Sequence, residues 1–571
     1  MRLLQAAAAV ALTLAVACQP LQPAGPTSSA PTQPPTPRPT IAPQPTAPPA
    51  QSPSEAVNPD LVQIDQVGYL PPYSKVALVT DPKATSFKIV DVQTGAIAYT
   101  GELGAPLHDE DAMQTVRTAD FSQLRQSGTY TLVIPGSGRS ANFRIGDDVY
   151  SQLASDALGS YDLLAQLAPA AWQAAQAKDR GTAQTMDISG GWPDAGDYGR
   201  YMPTAGSTMG TLLLLADLFP QQTNIQLNLP GLQPELPGSL QVFKEELDWM
   251  LKMQRSDGAV YHKVTPMGFG GFVRGQDNIG GDLFVFEPNT PDAGVFTAVM
   301  AEASRVYQPV DSGYATRLLN AAKLSWSWLE KNPKAILPAD MEGTGGYVYA
   351  GDETQRFWAA AELFKTTGDT RYGDYAKKYL QAGSLAVGDL SWSNTQTYGM
   401  LAYYFSDRAD PALKQRIAVT LQTWADGMTT TVSSPINPYA VSISVYAWAS
   451  NKAALDNAVL LMVANRITPN DQYVQSALDQ LHYVLGRNVM HKSYVTGYGS
   501  DPVKNPHNRT MFNLGKTIPG VLVGGPNGDA QDDITPPADG PGSYVDDLRA
   551  FSSNENSIEY NAPLVFLAAL F

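Results

Sequence analysis

The chain has 571 residues, of which 43% are hydrophobic and 16% are charged, and its formal net charge is −16. This length exceeds what one compact core usually holds, so we expect two or more domains. The negative charge excludes nucleic acid as a partner, because nucleic-acid binders neutralise phosphates with clustered Lys and Arg, whereas a neutral carbohydrate is compatible with it.

The first 18 residues have the features of an export signal. They begin with Arg2, continue as an uncharged apolar run and end at Cys18, the chain's one cysteine. The run is too short to span a bilayer comfortably. Residues 14–18, Leu-Ala-Val-Ala-Cys, resemble a bacterial lipobox, in which the thiol is acylated and the preceding peptide is removed. The alternative is a plain signal peptide. Either way we expect an exported protein, either a surface lipoprotein that meets the membrane through its lipid only, or a secreted one.

Residues 19–60 are rich in Pro, Thr, Gln, Ala and Ser and contain few charges. Such a stretch buries little apolar area and predicts an extended, partly polyproline-II spacer.

Residues 61–146 change to short alternating apolar segments, such as 76–79, 87–90 and 130–134. Turn signals rich in Gly, Pro and Ser separate these segments, which predicts a small β-sandwich.

From residue 147 to residue 571 the periodicity is helical. About a dozen helices without obvious intervening strands favour an all-α toroid over a barrel of alternating strands and helices. The predicted helices cover residues 149–176, 202–218, 240–254, 291–307, 312–331, 356–366, 371–382, 395–405, 411–425, 439–466, 470–485 and 557–570.

A glycine-rich segment, residues 190–199, reads Gly-Gly-Trp-Pro-Asp-Ala-Gly-Asp-Tyr-Gly. Asp194 and Asp197 could hold a water molecule between them, while Trp192 and Tyr198 offer ring faces to a sugar. Taken alone, such a loop is equally typical of a calcium turn or a helix cap.

A second candidate is Glu555, which lies just before the final apolar helix. A carboxyl group there can be partly desolvated and its pKa raised, as a general acid requires. The alternative is that Asn554 or Ser557 caps the helix and that Glu555 only favours the positive end of its dipole.

A third segment leads through an extended loop to His507 and Arg509. A loop can bring both side chains to the hydroxyls of one sugar, although a lone His is more often structural.

Together these segments resemble glycoside hydrolase family 9, the inverting cellulase family. Residues 190–199 match its Gly-Gly-Trp-x-Asp-Ala-Gly-Asp-Tyr-Gly loop, His507 and Arg509 match its His-x-Arg signature, and residues 544–562 match its Asp and Glu signature. Residues 62–71 look like the start of the immunoglobulin-like module that precedes many bacterial members.

This resemblance implies a mainly α fold, with an (α/α)6 barrel at 147–571 preceded by a small immunoglobulin-like β-sandwich at 61–146. Residues 1–18 are then the signal peptide with its lipobox, and 19–60 the disordered linker. We expect a substrate cleft across one end of the barrel, and a monomer.

The resemblance also implies the catalytic roles. Asp197 would be the general base that activates water, Asp194 would help to hold that water, and Glu555 would be the general acid. Inversion requires the acid and base carboxyls to lie on the order of 6.5–9.5 Å apart. Asp546 matches a signature acid, with a supporting hydrogen-bond role expected.

Substrate contacts follow in the same way. His507 and Arg509 would contact the sugar beside the cleaved bond, and Tyr560 would border the same subsite. Further candidates are Tyr261, His262, Trp192, Tyr198, Trp358 and Trp392.

We expect no required cofactor. Family members often carry Asp-Glu before the helix tryptophan as part of a calcium site, but this chain has Thr354 and Gln355 there, with Asp352 and Glu353 displaced. A structural calcium ion needs six to eight oxygen ligands and stays an alternative that this displacement disfavours.

The function expected from the resemblance is an endo-acting β-1,4-glucanase that degrades cellulose or a related β-glucan. One alternative is an exo-acting relative that releases glucose, cellobiose or glucosamine from chain ends, for which residues 267–281 could wall off the cleft. The other is a surface glycan-binding lipoprotein without catalysis, which the retention of the three carboxylates disfavours.

Overall fold

The computed structural model describes residues 56–169, 172, 176–182, 184–274, 279–339, 343–383, 385–537 and 540–571. The predicted signal peptide, Cys18 and nearly all of the predicted linker lie outside the described residues. In these described ranges, no helix combines the length and apolar character needed to cross a membrane.

A β-sandwich forms the N-terminal part of the described chain. In one sheet the strands pair in the order β1-β3-β7-β6, and in the other the order is β2-β10-β8-β4-β5, with β9 beside β8. The strands are β1 (Val62–Gln63), β2 (Gly68–Tyr69), β3 (Val76–Val79), β4 (Ser86–Asp91), β5 (Ile97–Glu102), β6 (Leu107–Asp109), β7 (Gln114–Asp120), β8 (Gly128–Ile134), β9 (Gly138–Arg139) and β10 (Phe143–Ile145).

Alternation along these strands builds the sandwich core. In β4, Phe87 and Ile89 are fully buried, while Ser86 and Lys88 between and beside them are partly exposed. Leu132 of β8 and Phe143 of β10 join the same apolar cluster. The apolar residues of the alternating pattern therefore form the buried face of the sandwich.

Helices dominate the rest of the chain. They are α1 (Ser151–Gln166), α2 (Met202–Leu218), α3 (Gly238–Lys252), α4 (Thr290–Tyr307), α5 (Ser312–Lys331), α6 (Glu353–Thr367), α7 (Thr370–Ala382), α8 (Gln396–Tyr404), α9 (Pro411–Val432), α10 (Ser450–Ile467), α11 (Asp471–Val484), α12 (Arg509–Leu514), α13 (Phe551–Asn554) and α14 (Ile558–Leu570).

The long helices form two concentric rings. Helices such as α2 and α4 are buried along almost their whole length, whereas α5 buries only one stripe of its surface. A helix buried on all sides belongs inside and an amphipathic one outside. Within the inner ring α2 packs on α4, α4 on α6 and α14 on α2, and an outer helix lies between successive inner ones along the chain. This is an (α/α)6 barrel, and the predicted fold class is confirmed.

Two predicted helices are shorter in the structure. The helix predicted at 149–176 ends at Gln166, shortly before Pro169. The helix predicted at 439–466 begins at Ser450, because Ala440 and Ala449 have positive φ angles of 51° and 64° that no α-helix contains.

The barrel part also contains a small sheet, so the expectation of no intervening strands is wrong. Its order is β12-β11-β15-β14-β13, and each strand has only two to four residues, which is too short for a periodic signal. The strands are β11 (Gln176–Asp179), β12 (Thr185–Asp187), β13 (Arg200–Tyr201), β14 (Lys263–Thr265) and β15 (Phe284–Val285).

A buried carboxylate joins the sandwich to the barrel. Asp65 Oδ1 accepts the backbone N–H groups of Val67 and Gly68 at 2.8 and 2.9 Å. Asp65 Oδ2 lies 2.8 Å from His482 Nδ1 at the end of α11 and accepts the Tyr150 hydroxyl at 3.1 Å. One side chain therefore serves a sandwich turn and two barrel segments at once.

The neighbouring Gln66 extends this junction. Its Nε2 donates to the His491 carbonyl at 2.7 Å, and its Oε1 accepts the N–H groups of Ser500 and Asp501 at 2.9 and 2.8 Å. The sandwich thus holds the barrel segment that leads to His507.

Replacing Asp65 with Ala should strongly destabilise the protein. The substitution leaves the His482 imidazole and the N–H groups of Val67 and Gly68 without their buried acceptor, and breaking a buried pair of this kind costs about 3–5 kcal/mol. Calorimetry should show a clear fall in the melting temperature. The exposed pair of Arg144 and Asp148 provides the control, because Asp148→Ala should leave the melting temperature nearly unchanged. Equal melting temperatures for Asp65→Ala and the unaltered protein would contradict this account.

Candidate active site

Residues 190–199 form a loop held from two sides. Gly190 and Gly191 have φ angles of 85° and 77°, a conformation that favours glycine. The Arg200 guanidinium donates to the carbonyl of Gly190, and a carboxylate oxygen of Glu246, on α3, accepts the Trp192 N–H at 2.7 Å. The buried side chains of Arg200 and Glu246 therefore fix the turn that carries Asp194 and Asp197.

Both loop aspartates accept tyrosine hydroxyl groups. Asp197 is half-buried, and its Oδ2 accepts the Tyr201 hydroxyl and the Gly199 N–H, each at 3.0 Å. Asp194 is 1% exposed, and its Oδ2 accepts the Tyr347 hydroxyl at 2.6 Å. Burial and then the negative charge of Asp197 raise the pKa of Asp194 to about 7. Burial also raises the pKa of Asp197, although the positive charge of Arg509 opposes this.

Glu555 lies against the same loop. Its Oε1 accepts the Gly196 N–H at 3.0 Å. Burial and then the negative charge of Asp197 raise its pKa to about 8, so the carboxyl is mostly protonated at neutral pH. Ser557 caps α14 by accepting the Glu559 N–H, as the alternative interpretation proposed, but Glu555 itself is extended and outside that helix.

Gly196 is the point at which the three sequence motifs meet. Its carbonyl accepts the backbone N–H of Arg509 at 3.0 Å and the guanidinium Nη1 at 2.9 Å. A Cβ at this position would lie 2.0 Å from the His507 carbonyl oxygen and 2.8 Å from Glu555 Oε1. The close approach of these backbones therefore requires glycine.

His507 presents a neutral ring at this junction. Its Nδ1 lies 2.6 Å from the Leu548 carbonyl oxygen, and because a carbonyl only accepts, Nδ1 carries the hydrogen. Burial lowers the pKa of His507 to about 4. The ring of Phe272 packs edge-on against it at 4.8 Å, and Arg509 Nε donates to the Gly270 carbonyl at 2.6 Å. The predicted wall segment therefore borders the candidate site.

A cavity of about 290 Å³ continues the site beyond Asp194. Tyr347, whose hydroxyl binds Asp194, forms part of its lining, and Trp448 Nε1 donates to the Tyr560 hydroxyl at 2.7 Å. The cavity therefore combines aromatic and charged side chains, as sugar-binding sites do. The lining residues are Tyr347, Asp389, Ser391, Trp392, Trp448, Ala449, Lys452, Ala453, Asp456, Ser557, Glu559 and Tyr560.

Asp546 stands apart from the three carboxylates. Its Oδ1 accepts the Asn505 N–H at 2.8 Å, and its Oδ2 lies 3.3 Å from Lys492 Nζ. These contacts hold the turn that precedes His507, in keeping with the supporting role expected for Asp546.

Three aromatic candidates cannot stack on a sugar. Trp192 is 1% exposed and stacks on Tyr161, and Trp358 is 0% exposed and stacks on Tyr398 in the barrel core. Tyr198 is 2% exposed. Since stacking needs an accessible ring face, these three predictions are wrong.

Tyr261 and His262 are also almost completely buried. The Tyr261 hydroxyl donates to Asp179, and His262 Nδ1 lies 2.6 Å from Asp292 Oδ2. Their structural partners are clear, whereas their contact with substrate stays a prediction. Trp392 is half-buried on the cavity wall, and its contact with substrate also stays a prediction.

The sequence analysis missed Tyr201, Tyr347 and Trp448. Tyr201 could have been noticed, because it follows the aspartate loop directly. Tyr347 and Trp448 come from distant segments without a periodic signal, so only the fold brings them to the site.

The residues considered for a calcium site have other hydrogen-bond and ion-pair partners and do not form a binding site for the ion. Asp352 Oδ2 lies 2.9 Å from Arg356 Nε, and Gln355 Nε2 donates to the Ser393 carbonyl at 3.2 Å. An ion would need several oxygens free for coordination. Within the described part of the chain, no group of three or more His, Cys, Asp or Glu side chains could hold a metal ion.

Comparison with known proteins agrees with this architecture. The sequence model of "Glycosyl hydrolase family 9" matches residues 150–568, and that of "Cellulase N-terminal ig-like domain" matches residues 58–139. A crystal structure of a metagenome-derived glycoside hydrolase family 9 endoglucanase is 34% identical, with a TM-score of 0.84 over 89% of this chain and 98% of that one.

Two curated relatives have similar coverage. Endoglucanase D of Acetivibrio thermocellus is 35% identical over 536 residues, which cover 89% of this chain and 83% of that protein. A xyloglucan-specific endo-beta-1,4-glucanase of Bacteroides ovatus is 33% identical over 555 residues, which cover 89% of this chain and 93% of that protein.

The barrel, the preceding sandwich and the cluster of carboxylates define a glycoside hydrolase. The chain belongs to glycosyl hydrolase family 9, and the family predicted from the sequence is confirmed. It is an enzyme of the cellulase type.

Adding a single methyl group at position 196 should disable the site. In Gly196→Ala the new Cβ collides with the His507 carbonyl and displaces Glu555, and a displacement of about 1 Å can cost 10²-fold in rate. We expect kcat/KM on a soluble β-glucan to fall by at least about 10²-fold. Gly427→Ala is the matched control, because that helical position has open space and the substitution should preserve activity. Full activity of Gly196→Ala would show that the contact is not needed.

Proposed function

We propose that this protein is an inverting endo-β-1,4-glucanase that hydrolyses cellulose or a related β-glucan. The observation that carries the proposal is the hydrogen bond between Glu555 and Gly196, which joins a protonated carboxyl to the loop of Asp194 and Asp197. The names of the two curated relatives support the endo-acting mode.

In this proposal each of the three carboxyl groups has a different catalytic role. Ionised Asp197 accepts a proton from the water that attacks the anomeric carbon, and Asp194 helps to orient that water. Protonated Glu555 donates its proton to the departing glycosidic oxygen. The raised pKa of Glu555, and the opposition of Arg509 to the rise at Asp197, support this assignment of acid and base.

Substrate contacts are proposed on both sides of this centre. Arg509 and the free edge of His507 contact the sugar beside the cleaved bond, while Tyr560 and Trp392 line the cavity that receives the chain. The aromatic and acidic character of that cavity supports a neutral, hydroxyl-rich ligand.

We also propose that the protein is exported as a monomer and anchored by a lipid on Cys18. The lipobox-like residues 14–18 and the proline-rich residues 19–60 support an anchored enzyme on a spacer. Incorporation of labelled fatty acid into the chain, compared with Cys18→Ala, is the measurement that tests it.

Glu555→Gln should abolish hydrolysis. The amide keeps the shape of the side chain but cannot donate the catalytic proton, which typically contributes 10²- to 10⁴-fold. Reducing-end release from carboxymethylcellulose and barley β-glucan should fall by about this factor, and the unaltered protein should release oligomers of mixed length. Glu330→Gln, an exposed position on outer helix α5, should retain full activity.

The product sizes separate the alternatives. A single small product from the unaltered protein would indicate exo action. Binding of either polymer without any release of reducing ends would indicate a glycan-binding protein and would overturn the enzymatic proposal.

The pH profile should reflect the raised pKa of Glu555. Because the acid must be protonated, kcat/KM should stay high through neutral pH and fall as the pH rises through about 8. Arg509 lowers the pKa of Glu555, so in Arg509→Met the alkaline limb should move to higher pH. An alkaline limb below pH 6 would contradict the assignment.

A further inference from the structure

A buried charge cluster lies at the cavity beside the candidate active site. Lys452 Nζ forms a close ion pair with Asp456, lies 3.7 Å from Glu559 Oε1 and donates to the Leu390 carbonyl at 2.7 Å. No side chain of the three charged residues is more than 8% exposed. The catalytic assignment uses none of these three charges.

The cluster holds one short segment of backbone at two points. Lys452 binds the carbonyl of Leu390, and Glu559 Oε1 accepts the N–H of Trp392 at 3.3 Å. The same Glu559 oxygen accepts the Ser207 hydroxyl at 2.7 Å, which fixes the carboxylate to inner helix α2. The backbone on either side of Ser391 is therefore anchored to the barrel interior.

This segment carries the aromatic wall of the cavity. The ring of Trp392 is packed edge-on by Tyr347 at 5.2 Å and by Tyr349 at 5.5 Å. Since indole stacking depends on the placement of the ring, a shift of the 390–392 backbone would change the face offered to a sugar.

The charge on Lys452 maintains this arrangement. Burial alone would lower the pKa of Lys452, but the negative charges of Asp456 and Glu559 more than offset it and raise the pKa. The ammonium therefore stays charged, and its positive charge opposes the effects of burial and of Glu559, which together raise the pKa of Asp456 to about 7.

We propose that Lys452 is a positioning residue, which fixes Trp392 through Leu390 and Glu559 and thereby sets the affinity of the cavity for a glucan chain. Lys452 acts on substrate through Trp392 and takes no part in proton transfer. This inference rests on the proposed glucanase function.

The test uses the full enzyme and cellohexaose. Lys452→Met removes the charge but keeps an unbranched side chain of similar length. We expect KM to rise on the order of tenfold with kcat within about twofold, because an interaction shared by ground and transition states is lost. The dissociation constant of cellohexaose, measured by calorimetry in the inactive Glu555→Gln background, should rise by the same factor.

The control is a second buried lysine. Lys365 pairs with Asp217 and packs beside Arg305 on other helices of the barrel, with comparable burial. Lys365→Met should lower the melting temperature but leave KM unchanged, so that general destabilisation is separated from loss of positioning.

A double-substitution cycle completes the test. If Lys452 acts through Trp392, the pair Lys452→Met with Trp392→Ala should raise KM no more than Trp392→Ala alone. Additive effects of the two substitutions, or an unchanged KM in Lys452→Met, would overturn the inference. If the unaltered protein neither cleaves nor binds cellohexaose, the proposed function itself fails instead.

Discussion

The site depends on a contact between backbones at Gly196 that leaves no room for a side chain. The N–H of Gly196 donates to Glu555 and its carbonyl accepts from Arg509, so two residues far apart in the sequence are placed by the backbone of one residue. Asp197 follows directly in the chain. The geometry of acid and base is therefore set by short backbone links, which are stiffer than long side chains and suit chemistry that tolerates little displacement.

The close approach of these segments also brings several carboxyl groups together, and this shifts their pKa values. Asp194, Asp197 and Glu555 are mutually repelling carboxyls in a poorly solvated space, with Arg509 as the cation among them. Burial and then the negative charge of Asp197 raise the pKa of Glu555 to about 8, whereas Arg509 opposes the rise at Asp197. Neighbouring carboxyls with different environments can therefore carry different protonation states at one pH, which acid–base catalysis requires.

The fold and the three carboxylates could be predicted from the sequence, whereas only Trp392 and Tyr560 of the aromatic cavity lining could. The long helices could be predicted because their apolar periodicity persists over many residues, whereas strands such as β13, with two residues, carry no such signal. Trp358 was misassigned because it lies on an inner helix that is buried on every side, and the sequence does not show which tryptophan rings stay accessible. Tyr347 and Trp448 reach the site only through the barrel's closure, which no local pattern encodes.

The cavity and the catalytic loop share a physical link in Tyr347. Its hydroxyl binds Asp194 while its ring packs against Trp392, so one rigid side chain touches both the proposed water-holding carboxylate and the aromatic wall. Binding energy gained along a glucan chain helps catalysis only when it improves the geometry of the reacting groups. A tyrosine that contacts both regions provides a direct path for that use, and the buried charges of Lys452 and Glu559 hold the loop of Trp392 in place beside it.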